Sequence, residues 1–110
     1  MDIYEGDTLQ IPYLLLGEDG GVVPLPASAT VTVQLEDNLG TVTTFTLADD
    51  PEVTEAAVEV GGKSGDGVLF EAVPEEVSLR AAQYTYYIQI RGSVSDDEVG
   101  EFKIKESPTP

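Results

Sequence analysis

Residues 58–64, VEVGGKS, come nearest in this sequence to a phosphate-binding loop, because a predicted strand leads into Gly-Lys-Ser. Such a loop needs another glycine five residues before Gly62, where this chain has Ala57. It also needs a following helix whose N-terminus points at the phosphates, but here Gly65-Asp66-Gly67 and another predicted strand follow. We therefore predict that residues 61–67 are a flexible hairpin tip.

Carboxylates in predicted turns are the second candidates for chemistry. None of the acidic clusters has the alternating ligand spacing and central glycine of an EF-hand loop. Adjacent carboxylates in a loop can still converge, so Asp96, Asp97 and Glu98 are the weak candidates for a Ca²⁺ site, against a solvated turn as the simpler interpretation. The clusters are Glu18-Asp19, Asp49-Asp50 with Glu52, Glu75-Glu76 and Asp96-Asp97-Glu98.

Residue types that usually carry catalysis are missing from the sequence. The chain has no histidine and no cysteine, which removes the usual general base, the thiolate nucleophile and the commonest metal ligands. Ser64 has no histidine partner, and its neighbour Lys63 lies in the predicted hairpin tip. We expect no enzymatic activity and no cofactor.

The charge of the chain limits its partners. The formal net charge is −16, from 21 acidic and 5 basic residues. We expect neither nucleic acid nor an anionic membrane surface as a partner, since binding to either needs clustered Lys and Arg. The acidity has two interpretations, a solvated surface that keeps the protein soluble and an adaptation to high salt, where screening suppresses self-repulsion. A basic partner surface is compatible with either.

The elements expected around these residues are short strands with alternating apolar side chains, separated by turn residues. Pro12 removes a ladder donor and predicts a sheet edge or a bulge. A slip in alternation between Val42 and Phe45 predicts a bulge or a kink, and residues 77–83 are the only helix candidate. The strands cover residues 8–16, 29–36, 41–47, 56–60, 68–73, 83–92 and 98–105, with a short extended segment at 22–26.

This spacing predicts an all-β fold, an antiparallel sandwich of two sheets with one shared core. Residues 1–110 form a single domain, with short flexible arms at 1–5 and 106–110 that order on assembly. Tyr84 and Tyr86 share a parity with Ile88 and Ile90 and should face the core. Tyr87 has the opposite parity and, with Tyr4, is the candidate for an exposed contact surface.

A series of short motifs runs through the chain in order: GDT at 6–8, LLLGEDG at 14–20, VPL at 23–25, ASATVTV at 27–33, GVLF at 67–70, LRAAQYTY at 79–86 and VGEF at 99–102. Their order resembles that of the N-terminal domain of phage baseplate upper proteins. The resemblance covers nearly the whole chain and implies an immunoglobulin-like sandwich of about seven or eight strands.

The resemblance implies a structural protein of a tailed virus, located in the virion and docked to neighbouring virion subunits in the tail or baseplate. Multiple copies or a homo-oligomer are expected, without nucleic acid or membrane. Tyr4, Pro12 and Tyr87 are the interaction candidates. The alternatives are a capsid decoration or head-completion protein, a Ca²⁺- or carbohydrate-binding sandwich module, and an immunoglobulin-like repeat of an adhesin.

Overall fold

The computed structural model describes residues 2–106. Its elements are eight strands and one short 3-10 turn, and every strand begins or ends within a few residues of a Gly, Pro, Asp or Asn. The strands are β1 Asp2–Tyr4, β2 Leu9–Tyr13, β3 Thr30–Asp37, β4 Val42–Thr46, β5 Val53–Val60, β6 Lys63–Ala72, β7 Ala82–Arg91 and β8 Asp96–Lys105, and the 3-10 turn is Pro74–Val77.

The strands form two sheets that pack as a sandwich, which confirms the all-β prediction. The five-stranded sheet has the order β1-β8-β7-β3-β4, and the three-stranded sheet has the order β2-β6-β5. All pairs are antiparallel except β1 with β8, which run parallel with Ile3 beside Ile104.

The strand order corresponds to the immunoglobulin arrangement. In such sandwiches strands B, E and D lie in one sheet and strands G, F and C in the other, and variable-type domains add C′ beside C. Here β2-β6-β5 occupy the positions of B, E and D, and β8-β7-β3-β4 those of G, F, C and C′. The first strand lies beside the last strand of the fold rather than beside β2.

The core lies between the sheets because each strand presents its apolar parity inward. Phe45 of one sheet and Phe70 of the other meet edge to face with ring centroids 4.9 Å apart. Within the larger sheet, Tyr84 and Phe102 are cross-strand partners and stack at 5.2 Å. The most deeply buried side chains include Leu9, Val33, Leu35, Val68, Phe70, Ile88 and Ile90.

Pro12 lies where the sequence predicted, on an edge strand. β2 pairs only with β6, and Pro12 faces Leu69 in that ladder. On the open side of an edge strand there is no neighbouring strand to accept a hydrogen bond, so a residue without an N–H costs no ladder hydrogen bond there.

The N-terminal segment, expected to be a flexible arm, is instead strand β1. Its backbone pairs with β8, and Ile3 packs against the core. The expectation failed because three residues, DIY, carry too little periodicity to predict a strand. Of the C-terminal arm at 106–110, only Glu106 is among the described residues.

Three local predictions between the strands were also wrong. The hairpin tip consists of Gly61 and Gly62 alone, with φ of 59° and 81°, the signs that a two-residue primed turn requires. β6 begins directly at Lys63. β4 contains no bulge: its ladder with β3 is continuous, and Val42 simply faces outward. The helical turn is Pro74–Val77, earlier than expected, since the chain already enters β7 at Ala82.

Candidate interaction surface

The solvent side of the five-stranded sheet is the broadest regular surface of the described chain, and we call it the outer face. Its members alternate with buried residues such as Val33, Ile88 and Phe102. From β4 to β1 they are Val42, Thr44, Thr46, then Thr30, Thr32, Gln34, Glu36, then Gln83, Thr85, Tyr87, Gln89, Arg91, then Asp97, Val99, Glu101, Lys103, Lys105, and finally Asp2 and Tyr4.

Tyr87 lies at the centre of the outer face, on the middle strand of the five. In register it faces Gln34 on one side and Val99 on the other. Its hydroxyl donates to Oε1 of Glu36 at 3.3 Å. Partial burial and the neighbouring Glu36 carboxylate raise the pKa of Tyr87 above its ordinary value, so the phenol stays a hydrogen-bond donor.

Exposed apolar groups are scattered over the outer face, and Val99 lies directly beside Tyr87. Val99 is 62% exposed, Val42 50% and Tyr4 42%. Between them lie threonines and glutamines, which offer hydrogen bonds, and charged residues that include Glu36 and Glu101. A partly apolar surface with a tyrosine at its centre has the composition of a protein-contact surface.

The three predicted interaction candidates do not belong to one surface. Tyr4 lies on the outer face with Tyr87, at the edge formed by β1 beside Lys105. Its backbone N–H donates to Oδ2 of Asp7 at 3.0 Å, which fixes the turn after β1. Pro12 lies in the other sheet and is half-buried. The structure therefore places Tyr4 and Tyr87 on the same face of one sheet and Pro12 in the other sheet.

The outer face has a different charge balance from the rest of the chain. It holds three of the 5 basic residues, Arg91, Lys103 and Lys105, and four of the 21 acidic ones. Arg91 pairs with Asp97 at 2.6 Å and Lys105 with Asp2 at 3.4 Å. Of the formal charge of −16, the outer face carries −1 and the remainder of the chain −15.

The proposed convergence of Asp96, Asp97 and Glu98 on a Ca²⁺ ion is wrong for the described geometry. These residues start β8 rather than forming a turn, so consecutive side chains point to opposite faces. Asp97 pairs outward with Arg91, whereas Asp96 accepts a hydrogen bond from the Tyr13 hydroxyl across the sandwich. Within residues 2–106, no three acidic side chains form a group suited to a metal ion.

Glu98 occupies an unfavourable position for a carboxylate. It faces inward on β8 opposite Ile88, and its Oε2 is buried without a hydrogen-bond partner. Burial, followed by the nearby charge of Asp96, raises the pKa of Glu98 above 4.5. The same pocket raises the pKa of Tyr13, through its burial and its bond to Asp96.

Asp37 and Arg80 form an anchor that the sequence analysis missed. Asp37 is 8% exposed; its Oδ1 accepts the N–H groups of Leu39 and Thr41 at 2.9 Å, and its Oδ2 accepts Nε of Arg80 at 3.2 Å. Burial alone would raise the pKa of Asp37, but these bonds and the guanidinium outweigh it and lower the pKa. Nothing local in the Asp-Asn-Leu-Gly sequence at 37–40 specifies a partner 43 residues away.

Next to this anchor, the hydroxyl of buried Tyr84 donates to the carbonyl of Arg80 at 2.8 Å. A tyrosine near the start of strand F that bonds back to the chain a few residues upstream is the tyrosine corner of immunoglobulin-type sandwiches. Leu79 packs into the core just before it. The motif at residues 79–86 thus has a structural role, fixing the crossover into β7.

A concavity of about 440 Å³ is lined by residues of β5, β6 and the segment before β3. Two of its residues are acidic, and none of those described there is aromatic, so it offers no ring on which a sugar could stack. It is lined by Pro24, Leu25, Glu55, Ala56, Ala57 and Asp66.

No protein-family model matches the chain, and no curated protein matches it. Among residues 2–106, no helix is long and apolar enough to cross a membrane.

Proposed function

We propose that this chain is a non-enzymatic structural domain of a tailed virus particle, a tail or baseplate component that docks to neighbouring subunits of the virion. The observation that carries the proposal is the order of short motifs along nearly the whole chain, which resembles that of the baseplate upper proteins. The immunoglobulin-type strand order and the tyrosine corner within the motif at 79–86 support it.

The use of the acidic side chains also supports a structural role. Asp37 holds the β3–β4 turn to Arg80, Asp96 accepts the Tyr13 hydroxyl, and Asp97 pairs with Arg91. In each case the carboxylate joins two elements of the sandwich.

Docking in this proposal is passive and depends on surface shape. The outer face, centred on Tyr87, supplies broad contact, and many copies in an assembly multiply weak contacts into a stable one. Pro12 on the edge strand β2 disfavours uncontrolled strand addition there. The partners are therefore met through faces and loops rather than through that edge.

The test is immunogold labelling of tailed particles released by the source organism, using an antibody raised against the folded domain. Gold at the tail or its end supports the proposal. Gold spread over the head would assign the chain to capsid decoration and overturn the tail location. Particles without gold, from cultures in which the protein is expressed, would overturn the virion role altogether.

A further inference from the structure

We propose that the outer face binds a second copy of this chain, face to face, and that salt strengthens the association. The inference deepens the proposed docking function and rests on it, since it names the surface and one partner through which the domain assembles.

The first argument is electrostatic. Two chains of charge −16 repel each other in most orientations. When two outer faces meet, each contributes only −1 to the contact, and the charge of −15 on the rest of each chain stays outside the contact. No other regular surface of the described chain combines three of the 5 basic residues with so few acids. Face-to-face contact therefore brings together two surfaces that carry little net charge.

The second argument is the chemistry of the surface. Its charges are already partly neutralised within each copy, by Arg91 with Asp97 and Lys105 with Asp2. The centre consists of Tyr87 and exposed Val99 among threonines and glutamines, with the carboxylates of Glu36 and Glu101 beside them. Burying such a centre removes apolar area from water, which favours association, whereas burying Glu36 and Glu101, which are in no ion pair among the described residues, opposes it.

The size of the surface sets the expected strength. The strands β1, β8, β7, β3 and β4 have 3, 10, 10, 8 and 5 residues. With strands about 4.8 Å apart and a rise of about 3.3 Å per residue, the face measures about 600 Å² per copy. That is at the lower limit of specific stable interfaces. We therefore expect association at micromolar rather than nanomolar concentration, so that higher assembly depends on many copies.

The salt dependence follows from the same distribution. The Debye length falls from about 14 Å at 0.05 M salt to about 3 Å at 1 M. The long-range repulsion between the two acidic chains is then screened, while the contact itself has little net charge to be screened. The opposite dependence is expected if a basic partner surface were the true occupant, since that attraction would weaken in salt.

The experiment is sedimentation equilibrium of the full chain at about 0.05, 0.5 and 1 M NaCl. We expect the mean mass to rise from 11.7 kDa towards twice that value as salt increases. Val99→Glu should weaken association at 0.5 M at least about tenfold, because it desolvates a charge at the contact. Leu16→Glu is the matched control: it adds the same charge at an exposed apolar residue outside the outer face and should change association by less than about twofold.

An equimolar mixture of Val99→Glu and Val99→Lys chains should associate again, which shows that loss in the single variant does not come from misfolding. A mass of 11.7 kDa at every salt concentration, or equal weakening by Val99→Glu and Leu16→Glu, overturns the inference. Gold labelling of particles does not depend on self-association, so the proposed function can stand if the chain stays a monomer. Equally, the chain can associate in salt even if no particle carries gold.

Discussion

At the scale of single residues, Asp37 and Glu98 respond to pH in opposite directions. Three donors hold Asp37 in its charged form, so its contribution to stability is present above its ordinary pKa and is lost as the pH falls. Glu98 has a raised pKa, so the folded chain holds that proton more tightly than the unfolded chain does. Its contribution is fully present below its ordinary pKa and is lost as the pH rises through the folded value.

We predict that Glu98→Gln stabilises the protein at neutral pH, because the amide needs no proton to remain uncharged in the pocket. The gain expected at pH 7 is about 1 kcal/mol, at the lower end of the cost of an unpaired buried polar group. It should shrink to nothing as the pH falls below about 4, where Glu98 itself is protonated. Urea unfolding between about pH 3.5 and 7 measures this difference.

Glu101→Gln provides the control for this variant, since it removes an acid from the same strand but on the outer face. Its effect should stay within about 0.5 kcal/mol. Equal stabilisation by the two variants at pH 7 would mean that reduced net charge, not the position of Glu98, accounts for the gain.

Tyr84→Phe tests the tyrosine corner. The variant keeps the buried ring and its stacking on Phe102 but removes the hydrogen bond to the Arg80 carbonyl. We expect a loss of about 1 kcal/mol in the free energy of unfolding. Tyr87→Phe removes a hydroxyl that bonds to Glu36 on the outer face and should cost less than half as much. A Tyr84→Phe chain as stable as wild type would contradict a structural role for the corner.

At the scale of elements, the pairing of β7 with β8 depends on a glycine opposite a tyrosine. Gly100 is the cross-strand partner of Tyr86, and a Cβ on Gly100 would lie 2.3 Å from the Tyr86 ring. The ring therefore covers the backbone of β8 and compensates for the missing side chain.

Gly100→Ala should destabilise the protein by about 1–3 kcal/mol, because the added methyl group overpacks the space under the Tyr86 ring. The measurement is a double-mutant cycle with Tyr86→Leu, using denaturant unfolding. In the Tyr86→Leu background the cost of Gly100→Ala should fall below about half its original value. Additive losses would show that the backbone preference of Gly100, rather than contact with the ring, sets the cost.

The sequence predicted the elements that carry period-two alternation and missed those that depend on distant partners. β3 and β7 were predicted within one or two residues because Val31, Val33, Ile88 and Ile90 mark their buried face. β1 could not be predicted, because its pairing is with residues about 100 positions later. Likewise the start of β6 at Lys63 depends on the turn at Gly61 and Gly62. Residues 61–67 all have the composition of a loop, so the sequence did not show where the turn ends and the strand begins.

The candidate surface was predicted in part for the same reason. Parity alone placed Tyr87 away from the core, and the structure confirms that side. The neighbours that make its surface nearly neutral come from four other strands. Their combination depends on strand order, which local periodicity does not specify.

At the scale of the whole molecule, the net charge of −16 is distributed over a domain that measures 48 × 26 × 22 Å. Unfolding separates these charges, so self-repulsion destabilises the compact state. We predict that the thermal midpoint rises by about 5 °C between about 0.05 and 1 M NaCl, which corresponds to about 1 kcal/mol for a domain of this size. Circular dichroism at a concentration well below that of self-association measures the midpoint.

A variant with Glu75→Gln and Glu76→Gln should show a smaller rise, since it begins with less repulsion. A midpoint that does not change with salt would contradict self-repulsion as a main destabilising term. A chain that folds only near molar salt would instead establish the acidic surface as an adaptation to high salt.

The parallel pairing of β1 with β8 has a consequence for synthesis on the ribosome. The three-stranded sheet has all its strands once residue 72 has emerged. In the five-stranded sheet, β3 lacks its partner β7 until Ala82–Arg91 has been made. β1 is made first but finds its partner, Asp96–Lys105, only after every other strand is available. Contacts of such long sequence separation form slowly. The nascent chain therefore exposes the open edge of β7 until the last strand arrives, and that interval is when a chaperone or a second nascent chain has access to it.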